Sequence, residues 1–370
     1  QARHLGRRFS QRVSPVNKTL STSEFTSSVI TTCNSERRVM NTALAFTAEH
    51  TGKECTPEQL VVNPPLLGDT DAAKDEIEQM KLFISEVMHS DQAHAKEHYY
   101  QYAGVKEIKN PLARMQRCRE LMTILVKYIP KNAPLYGKET AAMMKARWQK
   151  LVEDFYNEET GRFDVTKIPD IFDYITYDAI YNQEALQGLD LFPLFRVAES
   201  LANFVVHAEY GVEIKQKLVI GSLISAKLLE SITQDINDIM AGSPSRTRLY
   251  FTSESHIHAF RNLLLFISTT GDQFHHLNEP VPLHYLTHIV FKVYEMAVPE
   301  SEEARFKIEV SFSSGIDINP FGVAEGHHQQ ALTPMILIHE GLSLQDLTRM
   351  QESASELEQQ CKQAAAGKDG

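Results

Sequence analysis

Two stretches of the sequence share one pattern, and that pattern decides the fold class. They are Val29-Ile30-Thr31-Thr32-Cys33-Asn34-Ser35-Glu36-Arg37-Arg38 and Thr247-Arg248-Leu249-Tyr250-Phe251-Thr252-Ser253-Glu254-Ser255-His256. Each runs from β-branched or aromatic residues, typical of a strand, through Ser-Glu into a segment with the apolar spacing of a helix. Strand–helix units of this kind predict an α/β fold with parallel strands.

The serine of each pair is a typical helix N-cap, which places Arg38 and His256 at the third position of the two helices. Free backbone N–H groups and the positive end of the helix dipole favour an anion there. In a parallel sheet such helix starts lie at the carboxyl edge of the strands, where ligands bind. We therefore predict that Arg38 and His256 meet in one phosphate-sized pocket.

Composition limits the classes of function. The chain has 370 residues, 42% of them apolar and 23% charged, which is typical of a globular protein with one large or two ordinary domains. Its formal net charge of −11 argues against a nucleic-acid partner. Four cysteines without metal or redox spacing indicate reduced thiols in the cytoplasm. No apolar run is long enough to predict a membrane span.

The order of the predicted elements divides the chain. A mostly helical block over 76–187, without a convincing strand, interrupts an α/β core formed by 1–75 and 188–345. The last segment, 346–370, is predicted as a helix that fades into a disordered polar tail. Individual predictions are a short strand over 59–62, an antiparallel pair over 286–294 and 306–312, an edge strand over 335–339, and helices over 71–88, 91–103, 111–128, 138–157, 191–204 and 214–240.

Several of these segments resemble a known family. The run from Arg246 to His258 resembles the second signature of the phosphatase domain of the bifunctional diphosphoinositol pentakisphosphate kinases, and Ser35 to Ala43 resembles the arginine helix of that domain. Further matches are Arg147-Trp148, Lys167-Ile168-Pro169-Asp170-Ile171-Phe172-Asp173, Glu209-Tyr210-Gly211 and Leu286-Thr287-His288-Ile289-Val290. The matches cover roughly residues 1–345 in the order of the family.

The resemblance implies a member of the histidine acid phosphatase superfamily. The implied fold is α/β, a mixed-sheet core with helices on both faces and a helical insertion. The implied reaction is removal of the β-phosphate of an inositol pyrophosphate, with release of inorganic phosphate and a role in phosphate homeostasis. A kinase domain would lie N-terminal in the same polypeptide. No cofactor is required, because arginines supply the positive charge.

The nucleophile of that superfamily is a histidine in an Arg-His-Gly-x-Arg-x-Pro motif directly after the first strand. The sequence lacks this motif. Arg3-His4-Leu5-Gly6-Arg7 imitates it, but no strand precedes this run and no proline follows. We therefore expect the nucleophile to lie upstream of Gln1, so that this chain carries an incomplete site.

The resemblance assigns roles to the remaining candidates. Arg38 and His256 are the expected catalytic residues, which clamp the transferred phosphoryl oxygens. Expected substrate-binding residues are Arg37, Lys74, Arg147, Lys167, Arg248, Ser253 and His258. For each lysine or arginine the alternative is a solvated surface charge. His258 lies close to the position where many acid phosphatases carry an acidic residue that protonates the leaving group. A carboxylic acid is not needed here, because a phosphate leaving group is already stable as an anion and needs only weak acid assistance.

Two alternatives stay open. His94 and His98 have the i,i+4 spacing of zinc ligands on a helix, with His89 nearby, so a structural zinc is conceivable; two histidines are only half a site. The missing nucleophile also fits a non-catalytic module that binds inositol polyphosphates or regulates a kinase domain. No segment resembles an ATP site.

Overall fold

The computed structural model describes residues 1–13, 28–32, 37–68, 71–89, 110–132, 134–243, 247–267, 281–297, 305–317, 320–321 and 331–366. Its helices are α1 (Ala2–Val13), α2 (Arg37–Thr51), α3 (Pro64–Leu67), α4 (Lys74–His89), α5 (Pro111–Tyr128), α6 (Ala141–Phe155), α7 (Ile168–Tyr181), α8 (Phe192–Ala208), α9 (Ile214–Met240), α10 (Glu254–Phe266) and α11 (Leu344–Ala366). Its strands are β1 (Ser28–Thr32), β2 (Val61–Val62), β3 (Tyr156–Asn157), β4 (Arg162–Phe163), β5 (Thr247–Phe251), β6 (His288–Glu295), β7 (Phe306–Ser313), β8 (Ile316–Asp317), β9 (Ala331–Leu332) and β10 (Ile336–Leu342). None of the helices within these ranges is long and apolar enough to cross a membrane.

The first sheet joins the two predicted strand–helix units. Its order is β2-β1-β5, and both pairings are parallel. Thr32 at the end of β1 lies opposite Phe251 at the end of β5, so the two strands end level with each other. The α/β class and the parallel pairing are confirmed.

Helix α1 packs tightly against α2. A Cβ at Gly6 would lie 2.3 Å from the carbonyl oxygen of Phe46, so only glycine allows this approach. Arg7 donates to Glu49, with 3.0 Å between Nη2 and Oε2. The run that imitates the nucleophile motif therefore lies inside a packed helix, and not in the turn that the motif requires.

The helical block has its own core, built around the fully buried side chains of Trp148, Phe155 and Phe204. Because Phe204 belongs to α8, this core extends past residue 187; the domain boundaries themselves stay predictions. The expectation of no strand in this block was wrong. Strands β3 and β4 form a hairpin of two residues on each side, too short to leave an alternating pattern in the sequence.

Helix α9 connects the two cores, and its bounds match the predicted ones. Ile220 and Ile224 pack in the helical core, whereas Leu229 and Ile236 pack with α10 in the second core. Its 27 residues span about 40 Å, which is enough to reach both.

The second sheet has the order β10-β7-β6, with antiparallel pairing throughout. In β7 the apolar side chains Ile308, Val310 and Phe312 stand at every second position and are all buried on one face of the sheet. The predicted antiparallel pair and the edge strand are confirmed. Helix α11 continues to Ala366, further than predicted, and residues 367–370 lie outside the described part of the chain.

Candidate active site

The two helix starts lie side by side at the carboxyl edge of the first sheet. Ser253 is the N-cap of α10, and the third residue of that helix is His256, as predicted. Helix α2 begins at Arg37, so Arg38 is its second residue rather than the predicted third; Ser35 and Glu36 lie outside the described residues. Because β1 and β5 are direct neighbours that end level, both helix starts face one region.

Arg38 and the start of α10 interact electrostatically. Arg38 is exposed on the first turn of α2. Burial raises the pKa of Glu254, the first residue of α10, and the charges of His284 and Arg38 oppose that rise. Arg38 is therefore close enough to Glu254 to stabilise its carboxylate.

A second carboxyl group lies in the same region. Burial raises the pKa of Asp173 to about 6, and the negative charges of Glu254 and Asp170 add to this rise. The positive charge of Arg38 opposes it. Asp173 belongs to α7 in the helical block, so the site lies between that block and the first sheet.

Solvent reaches both carboxyl groups. The Glu254 side chain is 58% exposed, and Asp173 is exposed as well. Nevertheless, the removal of water by surrounding protein is the largest cause of both raised pKa values. We call the region between Arg38, Glu254 and Asp173 the cleft. Asp173 can hold a proton near pH 6 in this cleft.

His258 and Tyr210 are two buried side chains next to Glu254. The ring of His258 stacks on Tyr210 with 4.8 Å between centroids, and His258 Nε2 lies 3.4 Å from Glu254 Oε1. His207 meets His258 edge-on, with ring centroids 5.1 Å apart. Burial lowers the pKa of each histidine to about 3, so both rings are neutral at ordinary pH. His258 thus adds no positive charge to the cleft. His256 is also buried, with 1% of its surface exposed.

Two of the predicted substrate-binding arginines are held by carboxylates elsewhere in the fold. Arg147 donates to Glu139 and Asp178 inside the helical block, with 2.6 Å between Nε and Glu139 Oε1. Arg248 donates from Nε to Asp235 of α9 at 3.0 Å, near the amino end of β5 and away from the ligand-binding edge.

The other predicted binding residues differ in position. Arg37 is exposed beside Arg38, and Ser253 is half-buried at the start of α10. Lys74 is exposed at the first position of α4, and Lys167 is half-buried directly before α7. Their contact with substrate stays a prediction.

The zinc alternative depends on residues of which only His89 is described; His94 and His98 lie outside the described residues. Both ring nitrogens of His89 already have partners. Nδ1 lies 2.7 Å from the carbonyl of Ser85, and Nε2 accepts from the backbone N–H of Phe163 at 2.9 Å. A metal on His89 would have to displace one of them. Among the described residues, no group of three or more potential ligands is assembled for a metal.

Sequence reasoning missed the acidic and aromatic half of the site, formed by Glu254, Asp173, Glu209 and Tyr210. Burial raises the pKa of Glu209, and it raises the pKa of Tyr210 to about 12. All four lie within segments that carried the family resemblance, which was the available signal. Their meeting could not be foreseen, because they come from α7, from the turn after α8 and from the start of α10, which are far apart in the sequence.

Comparisons with known proteins agree with this architecture. The family model of the histidine phosphatase superfamily (branch 2) matches residues 1–313. Over 332 residues the chain is 31% identical to inositol hexakisphosphate and diphosphoinositol-pentakisphosphate kinase 2 of Mus musculus, which covers 76% of this chain and 29% of the kinase. Over 266 residues it is 31% identical to inositol hexakisphosphate and diphosphoinositol-pentakisphosphate kinase VIP1 of Arabidopsis thaliana. That alignment covers 50% of this chain and 25% of the kinase. The chain thus spans less than a third of either relative.

Among solved structures, the phytase of Klebsiella sp. ASR1 has the same fold. The match has a TM-score of 0.52 at 10% identity and covers 96% of this chain and 84% of the phytase. The family match over most of the chain also accounts for the strand–helix pair and the helical block. The chain belongs to the histidine phosphatase superfamily, branch 2.

Proposed function

We propose that the chain is the phosphoryl-binding part of a phosphatase that hydrolyses the β-phosphate of an inositol pyrophosphate. The observation that carries this proposal is the level parallel pairing of β1 and β5, which sets the helix starts of Arg38 and His256 beside each other. The names of the related kinases support a substrate of the inositol phosphate class.

In this proposal each group has a defined task. The Arg38 guanidinium holds two oxygens of the transferred phosphoryl group, and the N–H groups at the start of α10 bind the same group. The ring of His256, which is buried without ligand, turns towards that group to donate a hydrogen bond. A histidine that is not present in this chain attacks phosphorus, the anhydride P–O bond breaks, and water later hydrolyses the phosphohistidine. The phosphate that leaves is stable as an anion, so His258 need not be an acid.

The wider setting belongs to the same proposal. We place the domain C-terminal to a kinase domain in one polypeptide, by analogy with the relatives, of which this chain matches only a part. A cytoplasmic location is supported by the cysteines, since Cys55, Cys118 and Cys361 are free thiols.

A second candidate function is a non-catalytic module that binds inositol polyphosphates. The observation that favours it is the absence of an Arg-His-Gly-x-Arg-x-Pro motif from the sequence. Such a module would use the same cleft without turnover.

One experiment separates the two functions. The longest natural form of the polypeptide and this 370-residue chain are incubated in parallel with an inositol pyrophosphate, and released phosphate is measured. Release by the longer form alone supports the phosphatase with an upstream nucleophile. Tight binding without release in both supports the binding module. Release by the short chain would restore His4 as a candidate nucleophile, and absence of both binding and release would exclude both functions.

A further inference from the structure

The turn before β6 connects to the first turn of α2 through two hydrogen bonds. The hydroxyl oxygens of Tyr285 and Thr42 lie 2.7 Å apart. Thr42 in turn donates its hydroxyl to the carbonyl oxygen of Arg38 at 2.8 Å. A threonine hydroxyl has one hydrogen, so Tyr285 must be the donor in the first bond. A directed chain therefore runs from Tyr285 through Thr42 to the backbone of Arg38.

The backbone of this turn is strained. Leu286 has a φ of +66°, and among the described residues no other side chain-bearing residue has a positive φ. A branched side chain rarely adopts this conformation, and such strain persists only where surrounding contacts enforce it. Strained residues of this kind cluster at functional sites.

Contacts from the end of β7 enforce the conformation. The N–H of His284 donates to the carbonyl of Ser314, and the N–H of Ile316 donates to the carbonyl of Tyr285, both at 3.0 Å. A Cβ at Gly315 would lie 2.5 Å from the carbonyl oxygen of Tyr285 and 2.6 Å from the nitrogen of Thr287. Only glycine fits there, and its own φ is +89°.

The same turn also reaches the other helix start. The charge of His284 lowers the pKa of Glu254 against the effect of burial, so the imidazole lies near the first residue of α10. The turn thus bonds to α2 through Tyr285 and lies near the start of α10.

We propose that Tyr285 is a positioning residue, whose hydroxyl is aimed by the strained turn at Leu286 and fixes the first turn of α2 so that Arg38 binds the phosphoryl group. The inference rests on the proposed function of Arg38. Tyr285 itself needs no contact with the substrate.

The test compares Tyr285→Phe with Tyr250→Phe in this 370-residue chain. Tyr250 donates its hydroxyl to Asp235 on α9, so its variant loses a tyrosine hydrogen bond outside the cleft. The affinity for inorganic phosphate is measured by calorimetry. We expect Tyr285→Phe to weaken binding about fivefold to tenfold, the size of one net hydrogen bond, and Tyr250→Phe to leave it unchanged. Equal affinity of wild type and Tyr285→Phe would overturn the inference.

Further variants test the relay itself. Thr42→Ser keeps the hydroxyl and should bind phosphate as wild type does, whereas Thr42→Val should match Tyr285→Phe, with no additional loss in the double variant. Gly315→Ala should weaken binding, because the added methyl displaces the turn. Gly242→Ala is the matched control, since its φ is +96° and nothing lies within 4 Å of the added Cβ. Full additivity of Thr42→Val and Tyr285→Phe would contradict a relay.

Amide hydrogen exchange separates this inference from the proposed function. Tyr285→Phe should speed exchange at Thr42 and Ala43, whose amides lie next to the relay, and Tyr250→Phe should not. If wild type binds no phosphate, the proposed function fails and the exchange rates alone decide whether Tyr285 positions α2. Unchanged exchange in Tyr285→Phe would refute the positioning role in either case.

Discussion

Replacing Asp178 by asparagine should lower the free energy of unfolding by about 3 kcal/mol. Asp178 is fully buried in the helical block and accepts hydrogen bonds from three side chains. Arg147 and Asn182 donate to Oδ1, and Trp148 donates from Nε1 to Oδ2 at 2.7 Å. The carboxylate therefore balances a guanidinium that the sequence had suggested for substrate binding.

The magnitude follows from what asparagine keeps and loses. Its single oxygen can still accept from Arg147 and Asn182, but its amide group would face the N–H of Trp148, donor against donor. Trp148 is fully buried, so its N–H would have no water to bond instead. Breaking a buried ion pair costs about 3–5 kcal/mol, and we expect the lower end because Glu139 still accepts from Arg147.

Urea unfolding, followed by circular dichroism, measures this loss. The matched control is Asp154→Asn, which removes an exposed pair: Lys150 Nζ lies 3.0 Å from Asp154 Oδ2, and the two side chains are 75% and 37% exposed. The control should cost about 0.5 kcal/mol or less. If Asp178→Asn were as mild as the control, Arg147 would not depend on Asp178, and the structural explanation of Arg147 would be refuted.

Three further predictions concern the cleft and the α1–α2 contact. Arg38→Ala should weaken phosphate binding about tenfold or more in calorimetry, because the guanidinium is the expected clamp on the phosphoryl oxygens; unchanged affinity would contradict that role. Because the pKa of Asp173 is raised to about 6 in the folded state, ionisation of its carboxyl group makes the folded state less stable above that pH. The variant Asp173→Asn should therefore have a higher melting temperature than wild type at pH 7.5 and the same melting temperature near pH 4. A difference that grew towards low pH would contradict the raised pKa. Gly6→Ala should lower the melting temperature by the equivalent of about 1–3 kcal/mol, since its Cβ would meet the Phe46 carbonyl; a rise, as helix propensity alone predicts, would refute the close packing.

The parts of the fold that depend on local pattern could be predicted from the sequence. Both strand–helix units, the antiparallel pair and the bounds of α9 follow from periodicity and from caps such as Ser253. The β3–β4 hairpin could not be predicted, because two residues show no alternation.

The candidate site was only half predictable. The places of Arg38 and His256 at the two helix starts follow from two strands that the sequence identifies as alike, and their contact with a phosphoryl group stays a prediction. Asp173 and Glu254 meet through tertiary packing, which no local pattern encodes. For Arg248 the sequence cannot distinguish an ion pair from a ligand contact, because its partner Asp235 lies on another element.

The central claim is that one phosphoryl group binds between the starts of α2 and α10. The most direct test is a crystal structure of this chain grown with inorganic phosphate. We predict a phosphate ion with oxygens within hydrogen-bonding distance of the Arg38 guanidinium and of His256. A cleft that stays without phosphate at saturating concentration, or a phosphate held by other residues, would contradict the account.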